Sequence, residues 1–125
     1  MDLFDTQIYQ IIGEDGFARL VAAFYRRVRT DDILLPMYPP SELDAAEHRL
    51  REFLIQRFGG PGRYSAQRGH PRLRMRHAPF KIDVAARNRW VQLMEAAMAE
   101  TKLQPEVEPL LRQFFASTAT FMINE

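Results

Sequence analysis

Apolar residues recur at helical spacing along four stretches of this 125-residue chain, and this periodicity constrains the fold more than any other feature. Positions i, i+3, i+4 and i+7 share one face of an α-helix, so each stretch predicts an amphipathic helix. No stretch alternates convincingly between apolar and polar residues, as a half-buried β-strand would. We therefore predict an all-α chain. The four apolar stripes are Phe17, Leu20, Val21, Phe24, Tyr25 and Val28; Leu43, Ala46, Leu50, Phe53, Leu54 and Phe58; Val84, Trp90, Val91, Met94, Ala97 and Met98; and Val107, Leu110, Leu111, Phe114, Phe115, Thr118, Phe121 and Met122.

Glycine, proline and capping residues indicate where the helices begin and end. A shorter apolar pattern precedes the first long stripe and is closed by Gly13; its members are Leu3, Phe4, Ile8, Ile11 and Ile12. The residues from Glu14 to Gly16 then predict a break. The other signals are Ser41 as a helix start, Gly59-Gly60-Pro61 as a stop, Asp83 as an N-cap and Pro105 in the first turn of the last helix.

Residues 62–82 show no clear period, and they contain six basic residues but no acidic one. A segment this long without a clear element is usually functional or disordered. Its arginines fit a small nucleic-acid-binding protein. The formal net charge of the whole chain is only +1, however, so we predict no nucleic-acid partner.

Composition narrows the class of protein further. Hydrophobic residues make up 46% and charged residues 26%, which is typical of one globular domain over residues 1–125. The absence of cysteine excludes disulfides and thiolate metal sites, and no histidine has a second histidine four residues away, so a zinc site is not expected. There is no apolar stretch of membrane-spanning length and no signal-peptide pattern, so we expect a cytoplasmic protein with no integral membrane segment.

His77 is the candidate functional residue of the basic segment. Pro71 suits the first turn of a short helix and Pro79 disfavours helix beyond His77. Two interpretations stay open from spacing alone. His77 could be a core histidine that hydrogen-bonds to backbone, or a neutral imidazole presented to the iron of a haem, with its other N–H held by a carbonyl group. A haem would also need an apolar slot and cations at its edge, both of which this composition can supply.

The run from Gly59 to Phe80, GGPGRYSAQRGHPRLRMRHAPF, resembles the signature of group II truncated haemoglobins. The resemblance extends from about Phe17 to the end of the last helix. It implies a truncated globin fold, which is a two-over-two helical sandwich with a long loop that carries a very short proximal helix. It also implies haem b as the cofactor and His77 as the proximal iron ligand.

Other positions match the family pattern one by one. The resemblance implies that Tyr25, Tyr38 and Trp90 stabilise a bound ligand on the distal side, and Ala46 falls where larger globins place a distal histidine. Arg49, Tyr64, Arg74 and Arg76 are the expected partners of the haem propionates. The remaining expected cofactor contacts are Phe24, Leu43, Leu50, Phe53, Leu73, Phe80 and Met94.

From this resemblance we expect reversible binding of dioxygen, nitric oxide or carbon monoxide, with slow release because several donors would face the ligand. The alternative is a nitric oxide dioxygenase or a pseudo-peroxidase that acts on peroxide. Either redox activity would need a separate electron donor, because the sequence shows no reductase domain. Whether the protein is an enzyme, and whether it is a monomer or a homodimer, stays open at this point.

Overall fold

The computed structural model describes residues 3–125, with side chains from residue 7 onward. Within these residues there are helices and turns but no β-strand, which confirms the all-α prediction. None of the helices in this range is long and apolar enough to cross a membrane. The α-helices are α1 (Leu3–Val28), α2 (Leu43–Arg57), α3 (Arg63–Arg68), α4 (Leu73–His77), α5 (Val84–Thr101) and α6 (Glu108–Phe121), and two short 3₁₀ turns, Leu35–Met37 and Pro40–Glu42, precede α2.

The four long helices form a two-over-two sandwich, as the resemblance implied. Helix α1 packs on both α2 and α5, and α5 packs on α6, so the pair α1 and α2 lies over the pair α5 and α6. Side chains from all four helices meet in one core, where Phe17, Phe24, Phe58, Met94 and Leu111 are almost completely buried. This core fixes the frame on which the shorter elements α3 and α4 are placed.

The predicted break between the first two helical stripes is only one residue long. Gly13 adopts φ 77° and ψ 166°, which is outside the helical region, while Glu14 to Gly16 already belong to the second part of α1. Glycine adopts a positive φ at little steric cost, so a single residue is enough to interrupt the helix. Ile8 and Ile12 are buried as predicted, whereas the side chains of Leu3 and Phe4 lie outside the described ones.

The first part of α1 packs closely against the end of α2. The Tyr9 backbone N–H donates to the Phe58 carbonyl at 3.0 Å. A Cβ atom at Gly60 would lie 2.6 Å from a methyl carbon of Ile55 and 2.7 Å from the Tyr9 ring. Only glycine fits between these two side chains, so the predicted helix stop after α2 also lets the chain pass close to the first part of α1.

Two predicted helix starts were wrong by two or three residues. Helix α2 begins at Leu43 because Ser41 lies inside the preceding 3₁₀ turn and caps nothing. Helix α6 begins at Glu108 rather than near Pro105. The residues between them form a turn instead, in which two backbone N–H groups, one of them that of Glu108, donate to the Gln104 carbonyl at 3.1 Å.

The predicted faces of the last two long helices are correct except at their ends. The Asp83 side chain accepts from the Ala86 N–H at 2.8 Å, which confirms the predicted N-cap. Val84 is 58% exposed because Ala86 occupies the inward position of the first turn. Phe121, at the last turn of α6, is 62% exposed, so both residues were wrongly predicted to be buried.

The basic segment is not wholly irregular, since it contains α3 and α4. Helices of six and five residues are too short to produce a readable apolar period, so periodicity gave neither of them, but α4 is the very short helix that Pro71, Pro79 and the family resemblance predicted. Helix α4 begins at Leu73, two residues after Pro71, and ends at His77 as Pro79 predicted.

Candidate functional site

A cavity of about 500 Å³ lies among α2, α4, α5 and α6. This volume is in the range of small-molecule and cofactor sites. The fold thus brings together residues that are far apart in the sequence, including most of the predicted site. Those that line the cavity are Tyr25, Tyr38, Ala46, Arg49, Leu50, Phe53, Tyr64, Leu73, Arg76, His77, Phe80 and Trp90.

His77 is held in one orientation by its own helix. Its ring nitrogen Nδ1 lies 2.7 Å from the Leu73 carbonyl oxygen, one turn earlier. A carbonyl oxygen can only accept, so Nδ1 carries a proton, and in the neutral imidazole the lone pair is then on Nε2. The ring is half-buried at the cavity wall, next to Phe80. This is the state in which an imidazole can ligate a metal through Nε2.

Aromatic side chains from α1, α5 and the turn before α2 form another wall of the cavity. The ring centroids of Tyr25 and Tyr38 are 5.8 Å apart, and Phe24 contacts both Tyr25 and Trp90 with centroid distances of 5.0 Å. Trp90 in turn lies 5.7 Å from Phe115. The wall therefore presents two phenol hydroxyls and one indole N–H on a rigid aromatic cluster.

Both tyrosines of this wall remain protonated. Burial raises the pKa of Tyr25 well above its usual value, and interaction with the Tyr38 hydroxyl raises it further, against a smaller lowering by Arg49. Burial also raises the pKa of Tyr38, in spite of opposing effects of Tyr25 and Arg49. Each hydroxyl is thus a hydrogen-bond donor at neutral pH.

A buried ion pair ties the segment that carries Tyr38 to the helix that carries Trp90. Asp31 accepts hydrogen bonds from the backbone N–H groups of Ile33 and Leu34 at 3.1 and 2.8 Å. Its other oxygen accepts from the Arg89 guanidinium at 2.5 Å, and the carboxylate is only 5% exposed. The sequence analysis missed this pair because its members are 58 residues apart.

Cationic side chains also line the cavity. Arg49, Arg76, Arg68 and Arg87 all reach the lining, and Arg68 lies over the Tyr64 ring at 5.9 Å. The Arg76 guanidinium donates to the backbone carbonyls of Arg68 and Pro71 at 2.7 and 2.8 Å. These two bonds, rather than a bond to a carboxylate, fix the position of the side chain. Arg68 and Arg87 were not predicted.

Four predicted site residues do not line the cavity. Phe24 lies behind Tyr25 and Trp90, and Leu43 and Met94 are buried in the core. Arg74 donates instead to the carbonyls of Phe121 and Ile123 at 3.2 and 3.3 Å, near the end of α6. The period of the helix explains this difference, because Arg74 and Arg76 are two residues apart and therefore point in different directions from α4.

Several lining residues were expected only to be core or were not singled out. Periodicity does not separate a helix face that packs on another helix from one that faces a cavity. The inward positions of α6 were therefore predicted only as part of the core. The missed lining residues are Leu34, Met37, Pro39, Glu42, Leu54, Ile82, Ala86, Phe114, Phe115, Thr118, Ala119 and Met122.

The residues present fit a haem. No group of three histidine, aspartate or glutamate side chains that could hold a metal ion occurs in the described part of the chain. A metal ligated by His77 would therefore bring further ligands of its own, as a porphyrin does. The walls are largely aromatic and aliphatic, and the lining includes arginines that could bind anionic edge groups.

Comparisons with known proteins agree with this fit. The sequence profile of the bacterial-like globins matches residues 7–124. The group 2 truncated haemoglobin of Bacillus subtilis is 37% identical, over 94% of this chain and 88% of that protein. The crystal structure of haemoglobin from Chloroflexus aurantiacus superposes with a TM-score of 0.91 at 42% identity, covering 94% of this chain and 98% of that one. The structure of a truncated oxygen-avid haemoglobin from Bacillus subtilis gives a TM-score of 0.88 at 37% identity, covering 93% and 98%.

Proposed function

Because this chain belongs to the bacterial-like globins, within their group II truncated haemoglobins, we propose that it binds diatomic gases at a haem ligated by His77 and releases them slowly. Haem b is the cofactor of this family, and small gases such as dioxygen are its ligands. When bound, the haem supplies a ferrous iron that takes up one diatomic molecule. The roles below concern the side chains of this chain.

The observation that carries the proposal is the hydrogen bond of 2.7 Å between Nδ1 of His77 and the Leu73 carbonyl. It places a proton on Nδ1, so the lone pair of the neutral ring is on Nε2, and the ring lies at the wall of a cavity of cofactor size. Arg49, Arg76 and Tyr64 are the proposed partners of the propionates, and Arg68 joins them because it lines the same cavity. Arg74 is no longer proposed for this role.

Slow release would come from the aromatic wall. Tyr25 is 4% exposed and its raised pKa keeps the hydroxyl protonated, so it can donate to a ligand that gains negative charge on binding. A hydrogen bond to a charged group contributes about 1.5–3 kcal/mol, which corresponds to roughly one to two decades in a dissociation rate. Tyr38 and Trp90 add further donors. Such retention suits bulk oxygen transport poorly, and the oxygen-avid relative named above supports the same direction.

Nitric oxide dioxygenase or peroxidase activity is the second proposed function. It is favoured by the three donors on one wall and by Ala46, whose short side chain lines the cavity and leaves a path for small reactants. Each turnover of a dioxygenase that yields nitrate requires one electron, so this activity includes a separate reductase as partner. Measurable turnover with such a donor would distinguish it from a protein that only binds gas.

The ligand assignment is tested with the absorption spectrum of the reduced protein, with and without carbon monoxide. His77→Ala should lose the imidazole-ligated spectrum, while added imidazole should restore it. His48→Ala is the matched control, because His48 lies exposed on α2, where its ring contacts Arg51. A His77→Ala spectrum equal to that of the control would exclude His77 as the ligand.

A further inference from the structure

Helix α4, which ends in His77, cannot hold its own position. It has five residues, and none of them is buried. Nucleation of so short a helix is unfavourable, and its apolar side chains offset little of that cost, because Leu73 is only partly buried against the core and Met75 is 59% exposed. Its placement therefore depends on specific bonds to neighbouring elements as well.

Asn124, which follows α6, supplies several of these bonds. Its side-chain Nδ2 donates to the carbonyls of Phe80 and His77 at 2.9 and 3.3 Å. Its Oδ1 accepts from the Ile82 N–H at 2.9 Å, and its own backbone N–H donates to the Ile82 carbonyl at 3.0 Å. The carbonyls can only accept and the N–H can only donate, so a single orientation of the amide satisfies all the contacts.

We propose that Asn124 is a positioning residue for His77, and that it fixes the imidazole relative to the cavity through the backbone of residues 77–82. One of its bonds goes directly to the His77 carbonyl, on the same residue as the ring. The role of the ring as a ligand rests on the function proposed above, whereas the bonds of Asn124 to this backbone do not.

Arg74 makes the same connection from the α4 side. Its guanidinium bonds to the carbonyls of Phe121 and Ile123 join α4 to the residues just before Asn124. Residues 73–82, which we call the His77 segment, and the end of α6 thus each donate hydrogen bonds to the other. Ile82 and Met122, the buried apolar residues of these two segments, both line the cavity, so the bonded unit forms part of its wall.

The test compares Asn124→Ala and Asn124→Asp with Gln113→Ala as the control. Gln113 is an exposed amide on α6 with no bond to the His77 segment. Asn124→Asp keeps the acceptor for Ile82 but replaces the donor to two carbonyls with a carboxylate oxygen, so it tests the donated bonds on a nearly isosteric side chain.

Two readouts are used. In the haem-loaded ferrous protein, resonance Raman gives the iron–histidine stretching frequency, which a change in ring position should shift or broaden. In the haem-free protein, trypsin cleavage after Arg72, Arg74, Arg76 and Lys81 reports how often the segment opens. Asn124→Asp loses two hydrogen bonds and should increase that cleavage about tenfold, and Asn124→Ala loses three and should increase it at least as much. Gln113→Ala should match the wild type in both readouts.

Cleavage and Raman signals that are unchanged in both Asn124 variants would overturn the proposal. Faster cleavage with an unchanged Raman frequency would also overturn it, because Asn124 would then hold the backbone without positioning the ring. If His77→Ala shows that His77 is not the ligand, the function proposed above fails, yet the cleavage readout still decides whether Asn124 holds the segment.

Discussion

Asp31→Asn should destabilise the protein through the loss of one buried, charge-assisted bond. The amide oxygen can still accept from the N–H groups of Ile33 and Leu34, but the charge that faces Arg89 is removed. Such bonds contribute about 1.5–3 kcal/mol. The Arg89 side chain is 32% exposed, so water replaces part of the interaction and we expect the lower end, about 1.5–2 kcal/mol. The melting temperature should fall by about 5–10 °C.

Asp32→Asn is the matched control for this change. Asp32 is the next residue, its side chain is 89% exposed, and its contact with the same Arg89 nitrogen is 3.5 Å. An exposed pair of this kind contributes little, so the melting temperature should change by less than about 2 °C. Thermal unfolding of the three proteins is followed by circular dichroism at equal haem loading.

The effect of Asp31→Asn should also depend on pH in a definite direction. Burial opposes ionisation of Asp31, but the bonds from Leu34, Arg89 and Ile33 outweigh it and lower the pKa of the carboxyl group. A lowered pKa contributes stability above the usual aspartate pKa of about 4, and this contribution is lost as the pH falls through the lower value in the folded protein. The difference from wild type should therefore shrink below about pH 4. A constant difference down to about pH 3, or an equal effect of Asp32→Asn, would refute this reasoning.

Two further substitutions test the aromatic wall. Tyr25→Phe should speed dioxygen release by about ten- to a hundredfold in stopped-flow measurements, and an unaltered rate would mean that another donor dominates. Trp90→Phe keeps an aromatic ring beside Phe24 and Phe115 but removes the indole N–H, so dioxygen release should also become faster. Kinetics indistinguishable from wild type would assign Trp90 to packing alone.

The sequence predicted the long helices because their apolar stripes repeat over several turns. Periodicity gave no α3, because six residues are too few for a readable repeat, and the capping signals misplaced the starts of α2 and α6 by two or three residues. The very short helix α4 was instead predicted from Pro71, Pro79 and the family resemblance. Most of the predicted site residues line the cavity, because family resemblance marks individual positions such as His77 and Tyr25, although more than half of the lining residues were missed. Arg74 was misplaced because spacing along an irregular segment does not give the direction of a side chain.

The contacts that hold the site in place could not be predicted from the sequence. Asp31 and Arg89 are 58 residues apart, and Asn124 lies 44 residues from Phe80. Local patterns contain no information about which distant polar groups meet. Both contacts depend on how the helices pack, so they are evident only once the sandwich has been assembled.

The arginines of the His77 helix differ from most others in what they bind. Arg26, Arg27 and Arg29 form ion pairs with carboxylates, whereas Arg74 and Arg76 donate to backbone carbonyls, and in the described structure no carboxylate pairs with them to offset their positive charge. This part of the molecule therefore carries an electrostatic field before any cofactor binds. Such a field attracts a dianion over a distance of about 10 Å and is weakened by salt. Haem binding would then begin with attraction between the anionic propionates and these arginines, and burial of the apolar porphyrin ring would follow.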